Sequence, residues 1–190
     1  MQNRILFILI LISNFLFAQK ISSSIMKYYE FNFCNSPQTL ILIKKKNNKC
    51  FGYIQTVLKK KRKRDYREIL KKSKISSEQV EKIISVLEEK EIDSVDSTYD
   101  DDSVVYLDGD SFTIKILRDN RIQSFSFEEI YPESKKKIET TPLRGKIQSW
   151  LSIVDRELAL KEQFSSVRKA LNKGTYCYDS GIDTVCFNKN

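Results

Sequence analysis

The feature that most constrains the fold is a stretch of alternating apolar and polar residues, 104–127, which reads VVYLDGDSFTIKILRDNRIQSFSF. Gly109-Asp110 and Asp119-Asn120 are turn sequences that divide it into three short runs. With turns at these two points, Ile114 lies opposite both Val105 and Phe125, and the apolar side chains of all three runs share one face. The stretch is therefore predicted to form a three-stranded antiparallel meander with one buried face.

Three further runs near the start of the chain have the composition of strands. They read KYYEFNF, TLILIKK and CFGYIQTVL, and each is rich in aromatic or β-branched residues. The sequence CNSPQ separates the first two runs, and Lys46-Asn47-Asn48-Lys49 separates the second from the third. Short polar connections of this kind join neighbouring antiparallel strands, so these runs predict a second meander.

The stretch ISSEQVEKIISVLEEKEI carries the strongest helix signal in the chain. Ser76 and Gln79 have the spacing of a capping box, in which two side chains satisfy backbone N–H groups at the helix start. The apolar residues that follow repeat at helical spacing and share one face: Val80, Ile83, Ile84 and Leu87. The stretch is predicted to be an amphipathic helix that packs on the sheet.

A second helical region begins at Thr141, with Pro142 in its first turn. Its apolar stripe comprises Leu143, Ile147, Trp150, Leu151, Val154 and Leu158. A displaced stripe continues to Leu171, which fits either one long helix or two helices broken near Ala159. The predicted fold class is α+β: an antiparallel sheet of two meanders, covered on one face by two or three helices, with a C-terminal hairpin.

The first residues, MQNRILFILILISNFLFA, are typical of a secretory signal peptide: Arg4 precedes an apolar run that ends before Ala18. The run is shorter than the roughly 20 apolar residues of a membrane-spanning helix, so cleavage is favoured over a permanent anchor. The expected organisation is a signal peptide at 1–18, a flexible link at 19–26 and one domain at 27–190. No transmembrane segment is expected after cleavage, and the protein is expected in the periplasm, at the cell surface or in the medium.

Four cysteines remain in the exported chain, and an even number in such a compartment favours disulfides. The sequence TYCYDSGIDTVCFNKN reads as a hairpin, and a loop at residues 180–183 places Cys177 opposite Cys186. This pairing leaves Cys34 with Cys50, although a simple meander puts these two at opposite ends of a strand. None of the cysteines has the CxxC spacing of a zinc site, so no metal is expected.

The charges are distributed unevenly along the chain, which carries a formal net charge of +8. Residues 44–74 contain fourteen cations and two acids, whereas residues 76–110 contain twelve acids and two cations. The basic segment includes six consecutive cations: Lys59, Lys60, Lys61, Arg62, Lys63 and Arg64. Export makes a nuclear-import role for this run unexpected.

Three interpretations of the basic run are compatible with the sequence. The cations and acids can be solvated faces of one domain, since exposed ion pairs contribute only about 0–1 kcal/mol each. The run can bind a polyanion of the cell envelope, with an affinity that falls as salt rises. It can also contact a partner protein or the acidic segment of a second copy. Specific nucleic-acid binding is not expected, because only Tyr66 lies close enough to stack on a base.

The composition argues against most catalytic chemistry. The chain has no histidine, which excludes Ser-His-Asp and Cys-His pairs and HExxH zinc sites. Its few glycines stand apart and form no phosphate-binding loop. A hydrolase based on carboxylates is the remaining alternative, with candidates Asp100, Asp101, Asp102, Asp108 and Asp110. The expected function is therefore a non-catalytic binding domain without a cofactor, with polyanion binding as the alternative and a carboxylate hydrolase third.

Several patterns occur together in one order: the leader, the strand pair FNFCNSPQTLILIKK, the helix SSEQVEKIISVLEEKEIDSV before STYDDD, and the hairpin LDGDSFTIKI before a closing helix. In this order the chain resembles small exported domains of Gram-negative bacteria to which no activity is assigned. The resemblance covers most of the chain after the leader. It implies export and an α+β fold, and it implies no catalytic residue, ligand or cofactor.

Overall fold

A computed structural model of the chain describes residues 24–95, 111–135, 138–180 and 183–190. The strands are β1 (Ile25–Asn32), β2 (Gln38–Lys45), β3 (Cys50–Lys61), β4 (Tyr66–Ile75), β5 (Ser111–Arg118), β6 (Arg121–Glu128), β7 (Gly174–Asp179) and β8 (Thr184–Lys189). The helices are α1 (Ser77–Glu89), α2 (Pro142–Leu158) and α3 (Leu160–Lys169). The predicted α+β class, with its C-terminal hairpin, is confirmed.

One antiparallel sheet contains the eight described strands: seven lie in the order β6-β5-β1-β2-β3-β7-β8, and β4 pairs with β3 outside this order. The long strand β3 organises it: β2 and then β7 pair with one edge, and β4 pairs with the other edge over almost its whole length. β1 to β4 follow one another in both sequence and space, as predicted for the first three of them. β1 begins at Ile25, two residues before the predicted start of the domain.

The register predicted for the central meander is confirmed where the structure describes it. Ile114 pairs with Phe125 and Phe112 with Phe127, across a turn at Asp119-Asn120. Both turn residues have positive φ, as tight hairpins require. The other edge of β5 pairs with β1. The strand predicted at 104–107, together with the five candidate aspartates, lies outside the described residues, as do the predicted signal peptide and most of the link.

Helix α1 begins and packs as the sequence predicts. The Ser76 hydroxyl accepts a hydrogen bond from the backbone N–H of Gln79 at 3.2 Å. Its buried residues are the four predicted: Val80, Ile83, Ile84 and Leu87. The helix lies close to β3 where Gly52 presents no side chain, since a Cβ at Gly52 would stand 2.6 Å from Val80 Cγ2. Glycine at position 52 therefore allows α1 to pack this closely against β3.

The sheet buries one face in two hydrophobic clusters. The larger cluster joins β1, β2, β5 and β6 to α1 and α2, with Trp150 fully buried and its Nε1 donating to the Lys90 carbonyl at 2.9 Å. The smaller cluster lies under α3 and consists of Leu58, Leu171 and Tyr176 with half-buried neighbours that include Phe164. β3 contributes to both clusters, Ile54 to the larger and Leu58 to the smaller.

The second helical region consists of two helices that meet at Ala159. This residue has left-handed backbone angles, φ 47° and ψ 59°, and its N–H donates to the Asp155 carbonyl to close α2. These angles take the chain off the path of a right-handed helix, so α2 ends here, at a cost of about 1–2 kcal/mol for an L-residue. The break explains the displaced apolar stripe: α2 and Leu160 cover the larger cluster, and the rest of α3 covers the smaller one.

The disulfide predicted between Cys177 and Cys186 is present, with the two residues paired across β7 and β8. The loop at 180–183 is the one expected, because Asp179 pairs with Thr184. The second predicted bridge, Cys34–Cys50, is wrong. β2 separates these cysteines by more than about 20 Å, given its rise of roughly 3.3 Å per residue, whereas a disulfide needs Cα atoms within about 7 Å.

Candidate functional site

The six consecutive cations lie at the tip of the hairpin that β3 and β4 form. Lys59–Lys61 end β3, and Arg62, Lys63 and Arg64 belong to the turn, in which the Arg62 N–H donates to the Asp65 carbonyl at 2.9 Å. The returning strand β4 was not predicted. Its residues alternate little in hydrophobicity, and all but three are exposed. Pairing with the long strand β3 holds this segment extended in spite of its charge.

Alternation along the strand divides the cations between two faces of the sheet. Lys60 points to the face that carries the helices, where its Nζ lies 5.4 Å from the centre of the Tyr176 ring. Lys59 and Lys61 point to the opposite face, where Lys59 is paired across the hairpin with Glu68. The structure therefore divides the side chains of the run between two faces, and the polyanion-binding role predicted for Lys59–Arg64 stays a prediction.

A cavity of about 370 Å³ lies on the helix side of the hairpin tip. Its cations are Lys60 and Arg62 from the predicted run, and Arg67 and Lys71 from β4. Its remaining wall is formed by Ile69 of β4, by Ala170, Leu171 and Asn172 just after α3, and by Tyr176 of β7. The structure thus brings four cations from two paired strands around one cavity, which we call the cationic cavity.

The cationic cavity contains no carboxylate in the part of the chain that the structure describes. The hairpin has two acids: Asp65 is exposed in the turn and does not line the cavity, and Glu68 lies between Arg67 and Ile69 on β4 and so points to the other face. None of the four cations is within ion-pair distance of a described acid. Like charges that no described acid neutralises, gathered around one concave surface, create a field that attracts anions.

Two features fix the shape of the cationic cavity. Its floor is rigid, because Tyr176 is 2% exposed and its hydroxyl donates to the Asn172 carbonyl at 2.9 Å. Lys60 passes between this ring and Gly174, where a Cβ would stand 2.9 Å from Lys60 Cε. Gly174 has φ 147°, and it leaves room for the lysine stem. The cation at the cavity floor is therefore held in place by packing.

A second group of cations lies next to the cationic cavity in sequence. Arg168 lies over the Phe187 ring, 4.3 Å from its centre, and with Lys169 and Lys189 it lines a cavity of about 290 Å³. Arg168 and Lys169 immediately precede the residues at the end of α3 that line the cationic cavity. The cations of this face therefore continue from the hairpin tip onto the end of α3.

The acidic segment is placed away from the cations as far as the structure describes it. Helix α1 carries its first acids, and Ser77 at its start donates to the carbonyl of Cys50 at 2.9 Å. Cys50 is the first residue of β3, and the cations lie at its other end. At a rise of about 3.3 Å per residue, the length of β3 puts roughly 35 Å between Cys50 and the hairpin tip. The acids of α1 therefore do not neutralise the hairpin tip.

The described residues offer little for metal or nucleophile chemistry. They contain no group of three or more His, Cys, Asp or Glu side chains that could hold a metal ion. Burial raises the pKa of the Cys50 thiol, which keeps it protonated and a poor nucleophile near neutral pH. No helix in this part of the chain is long and apolar enough to cross a membrane.

Comparison of the chain with protein-family models, with curated proteins and with solved structures gives no match. The function is therefore inferred from the geometry of the site. Sequence reasoning identified Lys60 and Arg62 but missed Arg67 and Lys71. No local signal identified them, because residues 66–75 alternate little in hydrophobicity and only pairing with β3 places Arg67 and Lys71 beside Lys60.

Proposed function

We propose that the protein is an exported, non-catalytic binding domain that holds a polyanion at the cationic cavity. The observation that carries the proposal is the set of four cations around one concave surface with no carboxylate among the described lining residues. Bound sulfate or phosphate groups would release counterions and gain charge-assisted hydrogen bonds, which Arg62 and Arg67 can make in pairs.

The aromatic residues of the site favour recognition of charge over recognition of bases. Tyr176 is 2% exposed and is covered by Lys60, so it offers no ring face for stacking. Tyr66 is exposed, but it pairs with Lys61 and so points to the other face of the hairpin. Binding to single-stranded nucleic acids relies on stacking platforms beside the cations. A polymer with repeated sulfates or phosphates therefore suits the cavity better.

Replacing the four cations of the cationic cavity should weaken polyanion binding much more than replacing four lysines elsewhere on the protein. The variant is Lys60→Gln, Arg62→Gln, Arg67→Gln and Lys71→Gln. We expect at least a tenfold loss of affinity for heparin and for inorganic polyphosphate, measured by calorimetry at physiological salt. Because fewer counterions are released, the slope of log affinity against log salt should also become shallower.

A matched control removes the same number of charges elsewhere: Lys46→Gln, Lys49→Gln, Lys72→Gln and Lys74→Gln. These lysines lie in the β2–β3 turn or on β4 facing away from the cavity. We expect the affinity of this control for heparin and polyphosphate to fall by less than about threefold. Equal losses in both variants would assign the binding to net charge, and unchanged binding in the cavity variant would overturn the proposal.

Export is the second part of the proposal, and it rests on the leader pattern and the Cys177–Cys186 bridge. We expect intact-mass measurement of protein from the cell envelope or medium to give a chain that begins at Gln19. Non-reducing peptide mapping should find Cys177 joined to Cys186. Recovery of the protein in the cytoplasm, with Met1 retained and all thiols reduced, would contradict export.

A further inference from the structure

A cavity of about 210 Å³ lies at the seam between the two hydrophobic clusters and shares no lining residue with the cationic cavity. The β1–β2 connection, residues 130–132, α2 and α3 form its walls. Most of the wall is apolar: Phe33, Ile130, Leu151, Leu160 and Phe164. We call it the seam cavity, because Leu151 belongs to the larger cluster and Phe164 packs on the smaller one.

Gln38 also lines the seam cavity and is almost completely buried, at 4% exposure. Its side-chain Nε2 has no hydrogen-bond acceptor within reach. Folded proteins leave few buried donors in this state, and each one calls for a physical reason. The terminal amide of glutamine rotates over a broad range about χ3, so a small rotation can present Nε2 to an acceptor inside the cavity.

Water alone is a poor occupant for this space. The seam cavity opens partly to solvent, and an ordered water held inside it needs two to four polar partners. The mostly apolar wall supplies few of these. A dry apolar cavity of about 150 Å³ is known to take up benzene, so the seam cavity has room for about eight to ten non-hydrogen atoms. The suitable occupant has an apolar body and one strong acceptor.

The charges that line the seam cavity favour an anion. Lys135 and Lys161 are both exposed, and Asp155 is the one carboxylate among the lining residues that the structure describes. The Ser134 hydroxyl donates to Asp155 Oδ2 at 3.0 Å, which engages part of this carboxylate. We propose that the seam cavity binds a small carboxylic acid with an apolar body, whose carboxylate accepts a hydrogen bond from Gln38 Nε2.

The test uses octanoate as the probe and the purified protein labelled with ¹⁵N. Octanoate should shift the side-chain amide resonances of Gln38 in a saturable manner, and calorimetry should give the affinity. Octan-1-ol, which has the same chain without the charge, should bind at least tenfold more weakly. The substitution Gln38→Met removes the donor at similar volume, and it should lower octanoate affinity by about tenfold or more without lowering the unfolding midpoint.

Two further variants test whether octanoate binds in the seam cavity itself. Leu151→Phe fills the space and should abolish octanoate binding, while heparin binding stays unchanged. The four-cation variant of the hairpin should bind octanoate as the original protein does, so failure of the polyanion proposal would leave this one standing. Absence of a Gln38 shift at millimolar octanoate, which would indicate water only, overturns the proposal. Equal octanoate affinity of Gln38→Met and the original protein also overturns it.

Discussion

Arg144→Met should lower the free energy of unfolding by about 3–5 kcal/mol, because it leaves a buried carboxylate without its counter-charge. Arg144 lies in the first turns of α2, and its side chain is 4% exposed, against 7% for its partner Glu139. Arg144 Nε donates to Glu139 Oε2 at 2.7 Å, and Nη2 donates to the Glu128 carbonyl at 2.8 Å. The pair thus ties the start of α2 to the end of β6.

The measurement is urea unfolding followed by fluorescence of Trp150, the only tryptophan in the chain and a fully buried one. The double variant Arg144→Met with Glu139→Leu serves as the control. Replacing both charges by apolar groups removes the desolvation cost, so this variant should recover most of the lost stability. A single-variant loss below about 1 kcal/mol, or additive losses in the double variant, would contradict a buried and coupled pair.

Gly52→Ala should destabilise the protein by about 1–3 kcal/mol, and Gly52→Val by more, through overpacking between β3 and α1. The added Cβ would lie 2.6 Å from Val80 Cγ2, 3.1 Å from the Ile41 carbonyl oxygen and 3.2 Å from Leu42 Cδ2. Val80 is fully buried and its short side chain cannot swing away, so either the helix or the strand must move.

Two comparisons test overpacking as the cause with the same Trp150 assay. Val80→Ala in the Gly52→Ala background restores space and should recover part of the loss. Gly145→Ala makes the same chemical change inside α2, where the nearest atom is the Glu139 carbonyl oxygen at 3.7 Å. Alanine favours helix over glycine by up to about 1 kcal/mol, so Gly145→Ala should stabilise. Loss of stability at Gly145 with none at Gly52 would refute overpacking at β3.

The parts of the fold that the sequence predicts correctly are those with local and repeated signals. The cap at Ser76 and the apolar face of α1 follow from residues within one helix. The pairing of Ile114 with Phe125, and that of Cys177 with Cys186, follow from a turn and the two-residue period on either side of it. In each case the information lies within about twenty residues, where propensity, turn chemistry and patterning agree.

The parts that were missed depend on contacts between distant segments. β4 carries too little alternation to stand out as a strand, and only pairing with β3 holds it in place. The cationic cavity needs Arg67 and Lys71 beside Lys60, and it needs Tyr176 from the far end of the chain. The Gln38 donor is likewise buried by segments distant in sequence. No periodic pattern within one segment predicts these positions, because they depend on tertiary packing between distant segments.

The attachment of the C-terminal hairpin has a consequence for ligand binding. The disulfide joins β7 to β8, whereas only Lys59 and Lys60 pair β7 with the rest of the described sheet. The crosslinked strands are otherwise held by the smaller cluster, in which Tyr176 packs with Leu58 and Leu171, so separation of the hairpin from this cluster would remove Tyr176 from the cationic cavity. For the proposed polyanion complex, thermodynamic linkage would make the effect reciprocal: a bound polyanion would stabilise the attachment of the hairpin, and loss of that attachment would weaken polyanion binding.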